Sequence, residues 1–140
     1  MGKNKSHLSK RIVAGLIDYF LVFAYIIIMM QFFGIPNDEG GNSLEGLPAL
    51  SVVFIWFLLN IGIEQMFGAT IGNQINDLKP IYINGTNDEK INLSQSLKRH
   101  LLDILDMFFF GLVGIILIKN TENHQRLGDL WAKTKVISTK

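Results

Sequence analysis

Two long apolar segments dominate the pattern of the chain, and polar stretches separate them from a third. Residues 12–33 and residues 49–67 are almost continuously apolar. At about 22 and about 19 residues, each is long enough to cross the hydrocarbon core of a bilayer as an α-helix. Residues 94–118 begin with Ser94 as a predicted N-cap and become apolar from Leu101 onward, so this third segment either spans the membrane or re-enters it. The pattern predicts an all-α membrane protein.

The polar stretches carry turn signals and short β-like pieces. The Asn84–Gly85 pair interrupts residues 68–93, and the pieces on either side of it, residues 81–83 and 91–93, are typical of a β-hairpin. Residues 134–137 also read as a short strand, and they could pair with residues 81–83. We therefore expect a small cytoplasmic cap that contains short strands.

The distribution of basic residues predicts the orientation in the membrane. Residues 1–11 form a basic leader, whereas the charged residues of the loop at residues 34–48 are all acidic. Because cytoplasmic segments are enriched in lysine and arginine, the N-terminus and residues 68–93 are predicted to be cytoplasmic, and residues 34–48 external. We expect a multi-pass protein of the cell membrane.

The tail, residues 119–140, is also basic, and three simple spans would put it outside the cell, against the same bias. A re-entrant third segment, bent near Gly111 or Gly114, would return the tail to the cytoplasm. A full third span is the simpler interpretation of the hydropathy. Both alternatives stay open at this stage.

Composition agrees with a single membrane domain over residues 1–140. Hydrophobic residues make up 49% of the chain and charged residues 18%. The absence of cysteine excludes disulfides and thiolate metal sites, and the three histidines lack metal-ligand spacing. The chain has no nucleophile motif and no phosphate-binding glycine loop. We therefore predict no enzyme activity, no cofactor and no nucleic-acid binding.

Charged and polar side chains lie inside the apolar segments, where they are costly and usually serve a purpose. The first segment contains Asp18. The second contains Asn60 and Glu64, which lie four residues apart and share one helix face. In the third segment, spacings of four and seven residues put three charges on one face: Arg99, Asp103 and Asp106.

These side chains have two interpretations. In the structural one, polar contacts hold the helices together, and the predicted charge network consists of Arg11, Arg99, Asp103, Arg126 and Asp129. In the functional one, the segments bind a proton or a cation, and the candidate ligands are Asp18, Asp106, Asn60 and Glu64. Burial raises the pKa of a carboxyl group and a nearby arginine lowers it, so proton exchange near neutral pH is feasible.

Four short motifs resemble those of the RDD family of small integral membrane proteins, which is named for one arginine and two aspartates. Residues 11–18 carry the arginine and the aspartate of its first helix, and Arg99 with Asp106 resembles the pair that opens its third hydrophobic segment. Residues 68–72, GATIG, are similar to its GATLG-type segment, and residues 125–129, QRLGD, to its closing motif.

The resemblance covers about residues 10–137, with departures at Asn73 and Gln74, where lysine and arginine are common, and at residues 131–134, where an alanine and a glycine usually precede the threonine. Some members are credited with monovalent cation/proton antiport, and membrane scaffolding is suggested for others.

The resemblance therefore implies an oligomeric exchanger of Na⁺ or K⁺ for H⁺. In such an exchanger, Asp18 and Asp106 would bind the ion or the proton, and Arg11 and Arg99 would tune their pKa. The alternative is a non-catalytic adaptor subunit of a larger membrane complex, whose charges are structural ion pairs. Its partners would be the lipid bilayer and other subunits.

Overall fold

The first apolar segment forms one long helix in the structure, a computed structural model that describes residues 6–106 and 108–140, with side chains for 6–106 and 111–140. This helix, α1, runs over Leu8–Phe33 and ends at Gly34, whose N–H donates to the carbonyl oxygen of Met30. Two short strands, β1 (Ile35–Pro36) and β2 (Asn42–Ser43), pair antiparallel within the following loop.

The second apolar segment forms a nearly continuous helix over Gly46–Phe67. It consists of α2 (Gly46–Phe57), a π-helical turn (Leu58–Gly62) and α3 (Ile63–Phe67). It ends at Gly68, whose φ of +87° is a left-handed conformation that glycine adopts without steric cost.

These two helices are long and apolar enough to cross a membrane, and a third crossing is counted only if a bent helix pair is one span. Their apolar windows are only 17% and 11% buried, so most of their side chains face away from the rest of the chain. Such an apolar exterior suits lipid contact. The sidedness of the N-terminus stays a prediction.

The third segment is broken into α5 (Leu93–Leu101), α6 (Asp103–Asp106) and α7 (Phe108–Asn120). The direction changes by 115° between Leu93–Asp106 and Gly111–Asn120. The bend includes Gly111, whose φ is +84°. The bend lies where the re-entrant alternative places it. Met107, which is part of the predicted segment, lies outside the described residues. Whether the segment crosses the membrane remains a prediction.

The predicted N-cap Ser94 is wrong, because α5 begins one residue earlier and is capped by Asn92. The Asn92 side chain accepts a hydrogen bond from the backbone N–H of Gln95, and the Gln95 side chain accepts one from the backbone N–H of Asn92. This reciprocal pair is a capping box. Residues 91–93 therefore lead into a helix and do not form the predicted strand.

Two short helices each lead into a strand. Helix α4 (Ile71–Ile75) precedes β3 (Leu78–Tyr82), and α8 (Leu127–Ala132) precedes β4 (Thr134–Ser138). The strands pair antiparallel, with Ile81 opposite Lys135 and Tyr82 opposite Thr134. The predicted pairing of residues 81–83 with 134–137 therefore matches the observed ladder, whereas the predicted hairpin across Asn84–Gly85 does not form.

The order of elements occurs twice along the chain. An arginine and, seven residues later, an aspartate lie on α1 in the first half and on α5 and α6 in the second. Apart from the β1–β2 pair, an apolar helical segment, a short helix and a strand follow in each half. Gly72 and Gly128 are each the second residue of the short helix. Pro80 and Val136 each follow that glycine by eight residues, and they lie opposite each other at the centre of the ladder. This register is the one expected of two equivalent halves related by a two-fold axis.

The interior of the protein is as polar as it is apolar. Among the residues whose side chains the structure describes, eleven polar or charged residues are buried, together with ten aliphatic residues and Pro80. Large apolar side chains are instead exposed, such as Phe20 and Ile27 on α1 and Phe54 on α2. Polar contacts therefore contribute to the interior together with apolar packing.

Candidate functional site

Asp129 lies at the centre of the buried charges. Its side chain is fully buried in the first turn of α8. One oxygen, Oδ2, is 2.5 Å from Nη2 of Arg11, and the other, Oδ1, is 2.8 Å from Nε of Arg99. Arg126 completes the surroundings, with its Nε 3.8 Å from Oδ2. One carboxylate therefore links α1, α5 and α8, and Arg11 also donates to the carbonyl oxygen of His124.

The arginines hold Asp129 in its charged form. Burial alone would raise the pKa of this carboxyl group, but the charges of Arg11, Arg99 and Arg126 outweigh burial and lower its pKa well below the usual range. Burial likewise disfavours the charged form of Arg126, but Asp103 and Asp129 outweigh it and raise its pKa. These groups are ionised at any physiological pH.

Glu64 joins the second helix to α5. Its Oε2 is 2.8 Å from Nη1 of Arg99, and its Oε1 accepts a hydrogen bond of 2.6 Å from the hydroxyl of Ser96. The Nε2 atom of His100 lies 3.3 Å from the same Oε1. Both carboxylate oxygens of this fully buried side chain are thus engaged by α5.

Asp103 connects His100 to Arg126. Its Oδ1 is 2.8 Å from Nη1 of Arg126, and its Oδ2 is 2.9 Å from Nδ1 of His100. The Tyr19 hydroxyl donates a hydrogen bond of 2.7 Å to the same Oδ2. The contacts form a closed loop of six side chains in which acidic and basic residues alternate, hereafter the charge ring: Asp129, Arg99, Glu64, His100, Asp103 and Arg126.

Asp18 contacts the start of α4. Its Oδ2 accepts a hydrogen bond of 2.6 Å from the hydroxyl of Thr70, and its Oδ1 accepts one of 2.7 Å from the backbone N–H of Gly72. Thr70 is the N-cap of α4, so the carboxylate of α1 holds the start of this short helix. A Cβ at Gly72 would overlap with the carbonyl oxygen of Ala14, so only glycine permits this approach.

Asp106 repeats this arrangement in the second half. It accepts hydrogen bonds from the backbone N–H groups of Leu127, at 2.9 Å, and Gly128, at 3.2 Å, at the start of α8. A Cβ at Gly128 would overlap with the carbonyl oxygen of Arg99. Gly72 and Gly128 therefore have the same role. Each allows a short helix to pack closely enough for its backbone N–H groups to bind a carboxylate.

A cleft with a volume of about 160 Å³ adjoins these groups. Its wall combines side chains from both halves of the chain, among them Asp18, Tyr19, Asn60, His100, Asp103 and Asp106. Asn60 reaches the wall from the π-helical turn, and its amide nitrogen donates to the carbonyl oxygen of Trp56 at 3.0 Å. Single π-helical turns inside α-helices occur frequently at functional sites.

The structure brings together most of the residues that the sequence singles out. Three of the four predicted ion ligands, Asp18, Asn60 and Asp106, line the cleft, whereas Glu64 is not among its lining residues. The five members of the predicted charge network are connected by ion pairs: Arg11, Arg99, Asp103, Arg126 and Asp129.

The ion pairs of Arg11 and Arg99 leave out two of the cleft carboxylates. Arg11 pairs with Asp129, and Arg99 pairs with Glu64 and Asp129. Neither arginine forms an ion pair with Asp18 or Asp106 within the described part of the chain, because both of these carboxylates are taken up by backbone and hydroxyl donors.

Sequence reasoning missed three contributors to the site. Tyr19, Thr70 and His100 all line the cleft and contact a carboxylate. The spacing of His100 and Asp103, three residues apart on one helix face, was an available signal. The sequence offered no signal for the other two contacts, which join residues distant along the chain.

Comparison with known proteins identifies the family. The family model described as the RDD family matches residues 5–133, nearly the whole chain. Neither the curated proteins nor the solved structures include a significant match. The matched range contains Arg11 with Asp18 and Arg99 with Asp106, each seven residues apart, and both short-helix motifs that form the site. The chain therefore belongs to the RDD family of membrane proteins.

Proposed function

We propose that the protein binds a monovalent cation, Na⁺ or K⁺, in the cleft and exchanges it for a proton across the cell membrane. The observation that carries this proposal is that two carboxylates, Asp18 and Asp106, line the cleft without an ion-pair partner among the described residues. With Glu64 and Asp129, which are buried beside the cleft but do not line it, the cluster holds three arginines and five carboxylates: Asp18, Glu64, Asp103, Asp106 and Asp129. Even with His100 charged, one negative charge is left without a cationic partner.

The excess charge belongs to Asp18 and Asp106. Neither has an ion-pair partner within the described residues, and both line the cleft. An uncompensated charge away from water is costly, so a cation or a proton that enters the cleft would be stabilised there. Their carboxylate oxygens and the side-chain carbonyl oxygen of Asn60 are the hard ligands that alkali-metal cations prefer.

Transport by one copy of this chain would need a path through a protein with few spanning helices. Two or three spanning helices enclose little volume, so a path for an ion would require several copies side by side. We therefore propose an oligomer in the cell membrane with the basic N-terminus in the cytoplasm, as the charge distribution favours.

Cation binding is expected to stabilise the folded protein. In detergent at constant ionic strength, replacing N-methylglucamine with Na⁺ or K⁺ should raise the unfolding temperature in a saturable way, because a ligand at 100 times its Kd adds about 2.7 kcal/mol. Asp18→Asn should abolish this response while the variant stays folded, since asparagine still accepts from the Gly72 N–H.

The exposed Asp38→Asn serves as the matched control and should respond as the wild type does. A wild-type protein with the same unfolding temperature in all three salts would contradict cation binding in the cleft.

A second candidate function is that of a non-catalytic adaptor in a larger membrane complex. It is favoured by the complete pairing of Arg11, Arg99 and Arg126 with internal carboxylates, which makes these charges structural. An adaptor would show no difference between Na⁺, K⁺ and N-methylglucamine in the same measurement.

A further inference from the structure

His100 occupies an unusual place in the charge ring. Its side chain is only 4% exposed, and each ring nitrogen faces a carboxylate oxygen. Nδ1 lies 2.9 Å from Oδ2 of Asp103, and Nε2 lies 3.3 Å from Oε1 of Glu64. The two carboxylates belong to different elements, α6 and α3, so the imidazole bridges the two halves of the chain.

The partners of these carboxylates decide how many protons His100 carries. Glu64 is paired with Arg99, and Asp103 with Arg126, each at 2.8 Å. Both carboxylates are therefore acceptors only. A neutral imidazole has one N–H group and would turn a lone pair toward one of them. Two N–H groups satisfy both contacts and complete the alternation of charge around the ring.

We infer that His100 holds the exchangeable proton of the cleft: it carries a second ring proton while the cleft is empty and releases it when a monovalent cation binds beside Asp18 and Asp106. This inference rests on the proposed cation exchange and adds the residue that couples the two ions. It makes the exchange one proton for one cation, so the total charge around the cleft is the same in both states.

The proton has a short route to the cleft. The Nδ1–H bond breaks and the proton moves to Oδ2 of Asp103, which lines the cleft, and from there to water. The Tyr19 hydroxyl donates to the same oxygen, so it stabilises the carboxylate once the proton has left. The cation supplies the positive charge that His100 gives up.

Other charged groups around His100 set how firmly the proton is held. Glu64 and Asp103 contact the ring directly, and Asp18 on α1 interacts with it electrostatically. Arg99 and Arg126 act through their paired carboxylates. Because Asp18 is a proposed cation ligand, a bound cation cancels an attraction that favours the second proton.

Nitrogen NMR of ¹⁵N-histidine-labelled protein in lipid nanodiscs tests the inference. The three histidines are distinguished by comparison with His100→Gln, and His7→Gln is the matched control. In N-methylglucamine buffer near pH 7.5, the His100 signals should be those of a ring protonated on both nitrogens. Addition of Na⁺ or K⁺ should convert them to those of a neutral ring. The wild type and His7→Gln should release protons to a weakly buffered solution, and His100→Gln should release none.

The outcomes separate this inference from the proposed function. A ring that stays doubly protonated in Na⁺ and K⁺, while either salt still raises the unfolding temperature, would overturn the role of His100 and leave cation binding intact. A neutral ring before the cation is added would also overturn it. Loss of both responses would remove the cation exchange and the inference together.

Discussion

Replacing Asp129 with asparagine is expected to lower the free energy of unfolding by about 3–5 kcal/mol, the usual cost of removing one partner from a buried ion pair. The cost is high because Asp129 is fully buried and compensates Arg11 and Arg99 at 2.5 and 2.8 Å. Without it, two guanidinium groups lose a counter-charge. Denaturant unfolding of the detergent-solubilised protein gives the measurement.

The matched control is Asp88→Asn, which makes the same chemical change at an exposed position. It should shift the unfolding free energy by less than about 0.5 kcal/mol. Equal stability of Asp129→Asn and Asp88→Asn would contradict the central place given to Asp129 in the charge ring.

Gly72→Ala is expected to destabilise the protein by about 1–3 kcal/mol or more, the range for an extra group in a filled space. The added methyl would overlap with the carbonyl oxygen of Ala14 and lie 2.9 Å from Cγ of Asp18. Backbone atoms cannot move aside as a flexible side chain can, so α4 would be forced off α1 and Asp18 would lose its N–H donor. Thermal unfolding and cation response should both decline.

Gly15→Ala provides the control, because Gly15 follows Ala14 on α1, the helix that Gly72 contacts, and a Cβ there meets no described atom within 4 Å. Alanine at this helical position should be neutral or stabilising by up to about 1 kcal/mol. If Gly15→Ala and Gly72→Ala had the same effect, the close contact between α1 and α4 would not be the reason for glycine at Gly72.

The helices were predictable because continuous apolarity is a local property of the sequence. Residues 12–33 and 49–67 fall within the observed helices Leu8–Phe33 and Gly46–Phe67. The observed starts are earlier, since polar residues and a proline are tolerated in the first turn of a helix. The bend after Asp106 could only be given as an alternative, because an apolar run has the same composition whether it is straight or bent.

The membership of the charge cluster was also predictable, but the pairing within it was not. Spacing along one helix put Arg99, Asp103 and Asp106 on one face, and all three are buried. Which carboxylate meets which arginine depends on contacts between distant residues, such as Arg11 with Asp129. A charge pattern does not reveal backbone N–H donors. The hydrogen bonds from the starts of α4 and α8 to Asp18 and Asp106 were therefore not predicted.

The two interpretations of the charges are compatible in this structure. The arginines belong to a closed set of ion pairs that joins α1, α3, α5 and α8. These ion pairs agree with the structural interpretation, in which polar contacts hold the helices together. The two remaining carboxylates, Asp18 and Asp106, line the cleft without an arginine partner among the described residues. Two carboxylates without an arginine partner, held beside a closed set of ion pairs, support the proposed binding of a small cation.

Proton movement in proteoliposomes tests the exchange most directly. An inward or outward gradient of Na⁺ or K⁺ is imposed on vesicles that contain the purified protein and a trapped pH indicator. We expect protons to move opposite to the cation in the wild type and in Asp38→Asn, so that the lumen becomes acidic under an outward cation gradient and alkaline under an inward one. Asp18→Asn and Asp106→Asn variants that remain folded should show no pH change above empty vesicles. Well-folded wild-type protein that moves no protons under either gradient would contradict the exchange.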